Sequence, residues 1–262
     1  MSEQNQIRFE DGAAYETYMG IWSRKVGEEF LAWLKPPRDL SWLDVGCGNG
    51  AFTALLAERV EPLSIIGVDP SPAQLDFART RPGVSIARFE AGHAMELPAA
   101  DDSVDAAVMA LVIAFVPDPA KGVAEMARVV KPGGLVSAYM WDWPEGFPFH
   151  HSHKIIEDRG LPAIAPPSWE ASREARLVAL WQGAGLAGVE SRAITVERTF
   201  PDFETLWAIT LTGPRVATLA ATLSPEVKAE IRKELKDRLG VEEGRPVTLK
   251  ATANAVKGRV PG

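Results

Sequence analysis

The chain has 262 residues, 46% hydrophobic and 24% charged, which suits a globular protein with a sizeable core. Its formal net charge of −7 gives no general attraction for a phosphate backbone, so nucleic acid is excluded as an expected partner. A single cysteine, Cys47, excludes an intramolecular disulfide, and the polar stretch Met1 to Glu10 and the short, interrupted apolar runs exclude a secretory signal and a transmembrane helix, so a cytoplasmic protein with no membrane partner is expected.

In chain order, residues 13–34 predict one or two helices. Tyr15, Tyr18, Met19, Trp22, Val26, Phe30 and Leu34 recur at three- and four-residue steps, and Pro36-Pro37 end the segment. Leu40 to Val45 is a short apolar strand running into glycines. Residues 51–60 predict a helix with Phe52, Leu55, Leu56 and Val60 on one face, stopped by Pro62. Leu63 to Val68 is a second buried strand, followed by a helix from about Pro72 with Ser71 as its N-cap. Val84 to Phe89 and Val104 to Val112 are the next two strands. Pro119 to Val130 is a helix, Lys131-Pro132-Gly133-Gly134 a turn, and Leu135 to Trp141 the fifth strand. Apolar strands alternating with helices predict a parallel sheet covered on both faces. The second half is less regular. It holds one short helix in 143–170, a helix from Arg173 to Gly183 and a long strand from Gly188 to Phe200. A mostly helical stretch from Phe203 to Leu239 breaks at Gly213-Pro214 and restarts at Ser224-Pro225-Glu226-Val227, and Pro246 to Val256 is a closing strand.

Gly46, Gly48 and Gly50 lie between the first strand and its helix, where glycines permit a tight turn and the close approach of a ligand. Alone, this turn also fits a dinucleotide-binding oxidoreductase, because Gly46, Gly48 and Ala51 have that spacing. Two carboxylates separate the readings. Asp44 precedes the turn and would help a cationic amino group while repelling a pyrophosphate. Asp69 ends the second strand, where a carboxylate can accept both hydroxyls of a ribose. Together they point to a ribosyl ligand with a positive amino group and no phosphates, a description that S-adenosylmethionine meets. The structural alternatives are that Asp44 only caps the turn and that Asp69, before Pro70-Ser71-Pro72, only starts a helix.

Four segments carry a resemblance: Leu43-Asp44-Val45-Gly46-Cys47-Gly48-Asn49-Gly50, Gly67-Val68-Asp69-Pro70-Ser71, Ala91-Gly92-His93-Ala94-Met95-Glu96-Leu97-Pro98 and Arg128-Val129-Val130-Lys131-Pro132-Gly133-Gly134. In order and spacing, from about residue 40 to 140, the chain resembles the class I methyltransferases of the bacterial group that includes ubiquinone and menaquinone biosynthesis enzymes. A weaker likeness extends to Tyr18-Met19-Gly20-Ile21-Trp22-Ser23-Arg24. The resemblance implies an α/β fold with a Rossmann-like, seven-stranded, mostly parallel sheet. Its last strand is antiparallel, helices cover both faces, and a helical insertion lies near the C-terminus. It implies S-adenosylmethionine as cofactor, the turn from Asp44 through Gly46, Cys47, Gly48 and Asn49 to Gly50 around the methionine part, and Asp69 with Pro70 at the ribose. Gly92, His93 and Ala94 would face the adenine, with His93 where the family usually has an acidic residue, and Leu111 and Val112 would lie near the sulfonium. Tyr18, Trp22 and Arg24 would form a lid, with Arg24 near the cofactor carboxylate. The alternative for all three is an amphipathic helix packed on the sheet.

Methyl transfer is a direct displacement that needs alignment and exclusion of water, with a general base only for a poor nucleophile. No fixed set of catalytic residues is expected, and none is legible. Ligands of such sheets sit at the carboxyl ends of the strands, so Trp141, Trp143, Phe147 and His150 are candidates for the acceptor pocket, the other reading being local core. The cluster His150-His151-Ser152-His153 admits a metal, an acid/base or a surface reading, and no metal is expected. The whole chain, 1–262, reads as one methyltransferase domain. It divides into an N-terminal helical lid (1–37), a cofactor-binding core (38–142), acceptor-side helical segments (143–187 and 201–243) and last strands (188–200 and 244–262). The expected partner is a small-molecule methyl acceptor, and a homodimer is left open. Competing functions are a non-catalytic cofactor-binding member of the fold and an NAD-dependent oxidoreductase.

Overall fold

The computed structural model describes residues 16–161 and 165–262. Tyr15 and the rest of the expected lid before Glu16 lie outside the described residues. Glu16–Gly20 forms a π-helical turn that continues into α1 (Ile21–Leu34), whose buried Trp22, Val26, Phe30 and Leu34 are the stripe read from the spacing. The helix closes at Lys35, which has φ 46° and bonds back to Leu31, before the two prolines.

The strands are β1 (Ser41–Val45), β2 (Ser64–Asp69), β3 (Ala87–Ala91), β4 (Val104–Ala110), β5 (Val130–Trp141), β6 (Ala187–Phe200) and β7 (Val247–Arg259). They form a seven-stranded sheet of order β3-β2-β1-β4-β5-β7-β6. β1 pairs parallel to β2 and β4, β2 to β3, and β4 to β5, whereas β7 runs antiparallel to both β5 and β6. The reversal of strand order beside β1 places a crevice at the carboxyl ends of β1 and β4.

The helices are α2 (Ala51–Val60), α3 (Pro72–Thr80), α4 (Pro119–Val129), α5 (His150–Asp158), α6 (Glu174–Gly183), α7 (Phe203–Thr210), α8 (Pro214–Thr222) and α9 (Pro225–Leu239). Their starts follow local chemistry. Ser71, Asp118, Asp202 and Ser224 each accept a first-turn backbone N–H, and prolines stand just inside α3, α4 and α9. Among the described residues no helix is long and apolar enough to cross a membrane.

Side chains alternate through the sheet into two layers. Trp42, Tyr139 and Ile194 point into a core with α1 and α2, while Leu43, Val136 and Met140 point into one with α4 and α6. Trp181 of α6, fully buried, donates its indole N–H to the Val136 carbonyl at 2.9 Å. Trp181→Ala is expected to cost about 3–5 kcal/mol, and Trp181→Phe, which only leaves that carbonyl without the indole, about 1–2 kcal/mol, both read from urea denaturation.

Several strand limits differ from the sequence reading. β3 begins later than Val84 because the chain first turns, Ala87 bonding back to Val84 at 2.8 Å. β4 stops at Ala110 because Leu111 takes φ 62°. β5 begins at Val130, the Lys131-Pro132-Gly133-Gly134 stretch being a bulge between Val104↔Val130 and Ala106↔Leu135. β7 continues to Arg259: the Lys257 ammonium lies 4.7 Å from the Trp33 ring centre, and Gly258 makes room for Trp181.

Candidate functional site

β1 ends in a turn that only glycines adopt without strain. Gly46, Gly48 and Gly50 have φ of 76°, 50° and 76°. The amides of Gly46 and Cys47 both donate to the Val68 carbonyl, at 2.7 and 3.0 Å, which clamps the turn to β2. A Cβ on Gly46 would fall 2.6 Å from the Val112 methyls, whereas one on Gly48 would meet nothing within 4 Å. Gly46 therefore packs and Gly48 faces open space. Gly46→Ala is expected to cost about 1–3 kcal/mol, and Val112→Ala in the same chain to recover the clash but not the roughly 1 kcal/mol of the positive φ, measured as urea midpoints.

Asp44 is fully buried. Its Oδ2 accepts from the Thr53 hydroxyl at 2.6 Å, and its Oδ1 has no hydrogen-bond partner. Burial, against the opposing Thr53 bond and with help from the nearby Asp69 charge, pushes its pKa from 3.8 up to about 7. Asp69 closes the turn from the other side, accepting from Gly48 N at 3.0 Å and Ser71 N at 2.9 Å. Burial raises its pKa, opposed by those two backbone bonds and by His93. Each Asp69 oxygen is engaged once by the backbone and has capacity for another donor. The Cys47 thiol is pushed far up, first by burial and then by the two carboxylates.

Above this turn lies a cavity of about 1180 Å³, lined at one end by Asp44, Gly46, Cys47, Gly48, Asn49 and Asp69. Pro70, Gly92, His93, Ala94, Leu111 and Val112 also line it. Gly92 is needed there: a Cβ would come within 2.9 Å of both Pro98 and Val68. Gly50, expected at the ligand, instead stands behind the wall, where a Cβ would touch Ala78 at 3.0 Å. Its role is to start α2 and let α3 approach.

The upstream residues divide. Tyr18 lines the cavity, stacks on Phe149 at 4.3 Å, and covers Gly213, where a Cβ would lie 2.7 Å from its ring. Trp22 corrects the lid reading: it is fully buried and packs edge-on to Trp141 at 6.5 Å, in the core beneath. Arg24 reaches the wall, but its guanidinium pairs with Glu28 and Glu58 at 3.2 and 3.0 Å. Sequence reasoning missed Glu16 and Arg81. Glu16 accepts from Asn49 Nδ2 at 3.2 Å and pairs with Arg81, and Arg81 Nε donates to the Asn49 carbonyl at 2.9 Å. No local pattern announces that contact, since Glu16 and Arg81 are 65 residues apart.

At the other end the wall is aromatic, with Tyr139, Trp141, Trp143 and Phe147 as members. His150 is a second correction. Its Nδ1 lies 3.2 Å from the Phe147 carbonyl and its ring rests on His151 at 3.8 Å, so at the first position of α5 it is tied back to the preceding loop, and it is His153 that lines the wall. Burial, then His150 and Arg238, lowers the His151 pKa. Among the described residues no three His, Cys, Asp or Glu side chains are grouped to hold a metal.

Comparison with known proteins gives the same direction. The methyltransferase domain family matches residues 43–138. A demethylmenaquinone methyltransferase of Deinococcus radiodurans is 41% identical over 146 residues, 55% of this chain and 58% of that protein. One of Bacillus licheniformis is 32% identical over 189 residues, 66% of this chain and 81% of that protein. The chain spans about half the length of the first curated relatives it matches, 42% to 58%. Among solved structures, a Haemonchus contortus phosphoethanolamine N-methyltransferase bound to S-adenosylhomocysteine aligns with a TM-score of 0.58 at 17% identity, over 95% of this chain and 56% of that one, which is a likeness of fold.

Proposed function

The chain belongs to the class I S-adenosylmethionine-dependent methyltransferases, and on that premise we propose that it methylates a small molecule bound at the aromatic end of the same cavity. The observation that carries this is the two-ended cavity: a glycine turn with two carboxylates at one end, a wall of aromatic rings at the other, and about 1180 Å³ between them. Ordinary ligand pockets measure about 300–1,000 Å³, so this space suits two ligands side by side.

The residues fit the cofactor. Asp44 carries a buried oxygen with no partner, Gly48 leaves open space where a side chain would intrude, and Asp69 has acceptor capacity left after its two backbone bonds. The two carboxylates that welcome a cation would repel a pyrophosphate, which is why the oxidoreductase reading falls away. When bound, S-adenosylmethionine supplies a methyl group on a positively charged sulfur that departs as a neutral thioether. In our reading Asp44 answers the amino group through field and hydrogen bonding, and Gly46 through Asn49 hold the methionine part. Asp69 and Pro70 border the ribose, and Gly92 to Ala94 the adenine. Tyr18 and the residues around Leu111 exclude water where the methyl group moves, which raises the effective concentration of the acceptor. The division into lid, cofactor core, acceptor-side helices and last strands is proposed on the same basis. The aromatic end suits a planar apolar acceptor, and two of the relatives are named for demethylmenaquinone. The test is a thermal shift with S-adenosylhomocysteine followed by a transfer assay on small phenols, amines and acids. Methylation of a protein or RNA, with none of any small molecule, would overturn the reading.

A further inference from the structure

One member of the histidine cluster stands in the cavity wall. His153, half-buried, packs its ring on Phe147 at 5.0 Å and 24° and lies 5.5 Å from Trp143. All three line the cavity, on the side away from Asp69 and His93. The loop carrying Trp143 and Phe147 is pinned. Trp143 N donates to Ser172 Oγ at 3.0 Å, and Asn254 donates to the Ser172 carbonyl at 2.9 Å. Asp142 N donates to Thr252 O and Thr252 N to Gly146 O, each at 2.9 Å, and a Cβ on Gly146 would strike Thr252 O. A side chain set on so rigid a support holds its position relative to a bound ligand.

Among the described residues, the other titratable side chains lining this end are Tyr18 and Tyr139, both buried phenols. Cys47 is held as the neutral thiol by burial and by the two carboxylates near it. An imidazole is the side chain suited to take a proton near neutral pH, and the flat rings of Trp143 and Phe147 clustered with it, 4.9 Å from each other, suit a flat ligand. An amine acceptor attacks through its own lone pair and needs no base beforehand, whereas a hydroxyl is a poor nucleophile until its proton is leaving.

We propose that His153 is the general base of this enzyme and that its acceptor is a planar aromatic compound bearing a hydroxyl group, which makes the reaction an O-methylation. The hydroxyl proton passes to the His153 imidazole as the oxygen forms its bond to the methyl carbon. The electron pair of the breaking S–C bond remains on sulfur, and the imidazolium returns its proton to solvent. This inference rests on the reading of the aromatic end as a small-molecule acceptor site.

The experiment compares wild type with His153→Ala and His153→Gln on phenols of graded acidity. With weakly acidic phenols kcat is expected to fall about 100-fold in both variants, the lower end of what a general base contributes. With nitrophenols, which ionise unaided near neutral pH, the loss is expected to be under about threefold, because the base has nothing left to do. Added imidazole is expected to restore part of the His153→Ala rate, and the thermal shift with S-adenosylhomocysteine is expected to be unchanged, which shows that the variants fold. A second readout needs no turnover: 4-nitrophenol bound to wild type is expected to show more phenolate absorption than when bound to either variant. An equal loss on all phenols, no loss on any, or a loss of the S-adenosylhomocysteine shift overturns the role of His153. If wild type methylates small amines or carboxylates but no phenol, the acceptor class is wrong while the small-molecule reading stands. If it methylates no small molecule but does methylate a protein, that reading has failed as well.

Discussion

Asp44→Asn is expected to make the ligand-free protein more stable at pH 8 and to abolish its thermal response to S-adenosylhomocysteine. The first effect follows from burial. Asp44 is fully buried, its Oδ1 has no partner, and its pKa stands at about 7 against an ordinary 3.8. A carboxyl whose pKa is raised by folding binds its proton more tightly in the folded chain than in the unfolded one. Its ionisation therefore costs stability, starting near pH 4 and reaching the full cost above about pH 7. Asparagine carries no charge to desolvate and can still accept the Thr53 hydroxyl. The full shift corresponds to roughly 4 kcal/mol, and a new buried amide N–H without a partner takes back about 1–3 kcal/mol, leaving a gain of about 1–3 kcal/mol, or several degrees in Tm for a chain of this size. Melting curves of both proteins between pH 4 and pH 8 check it, with a difference that grows with pH and levels off above pH 7. A constant difference would mean that the gain is not the charge. The second effect follows from the same charge: with it gone, affinity for a ligand bearing an ammonium group is expected to drop at least about 100-fold, equivalent to nearly 3 kcal/mol. Stability gained where function is lost is what a strained ligand site predicts.

Asp69→Ala is expected to cost still more affinity, about 100- to 1,000-fold by calorimetry with S-adenosylhomocysteine. Two things go at once. The ribose hydroxyls lose the acceptor we propose for them, and the amides of Gly48 and Ser71, now 3.0 and 2.9 Å from carboxylate oxygens, lose theirs. Each hydrogen bond to a charged group contributes about 1.5–3 kcal/mol. Asp69→Asn separates the parts. One amide keeps an oxygen to donate to, the other faces an NH₂, and affinity is expected to fall between the two proteins. If Asp69→Ala binds within about twofold of wild type, the carboxylate is no ribose contact.

What could be read in the chain beforehand has a physical pattern. The alternation of apolar strands with capped helices is written in stretches of five to fifteen residues, and so is the glycine turn with its flanking carboxylates, so these were legible. Contacts that depend on how distant stretches meet were not. Nothing near Glu16 or Arg81 marks them as partners across Asn49. Trp22 follows Tyr18 by four residues and so reads as its neighbour on one helical face, but the wider π-helical turn of Glu16–Gly20 precedes α1; both rings join one core, and only that of Tyr18 also reaches the cavity. His150 and His153 are three residues apart at the start of α5. His150 is turned back to the Phe147 carbonyl, and His153 is the one that lines the cavity. The start of β5 and the end of β7 escape the sequence because glycine, lysine and proline speak for turns, while bulges and neighbouring aromatic rings accommodate them in strands.

The surroundings of Cys47 have a consequence for self-inflicted chemistry. The chain has a single cysteine, and it lines the cavity proposed to take the alkylating cofactor. A thiolate there would compete with every acceptor and would end as a dead thioether. Thiols attack only as thiolates. Burial and the negative charge of Asp44 and Asp69 hold this one protonated. The same carboxylates that we propose draw a cation into the cavity thus spare the protein from becoming its own substrate.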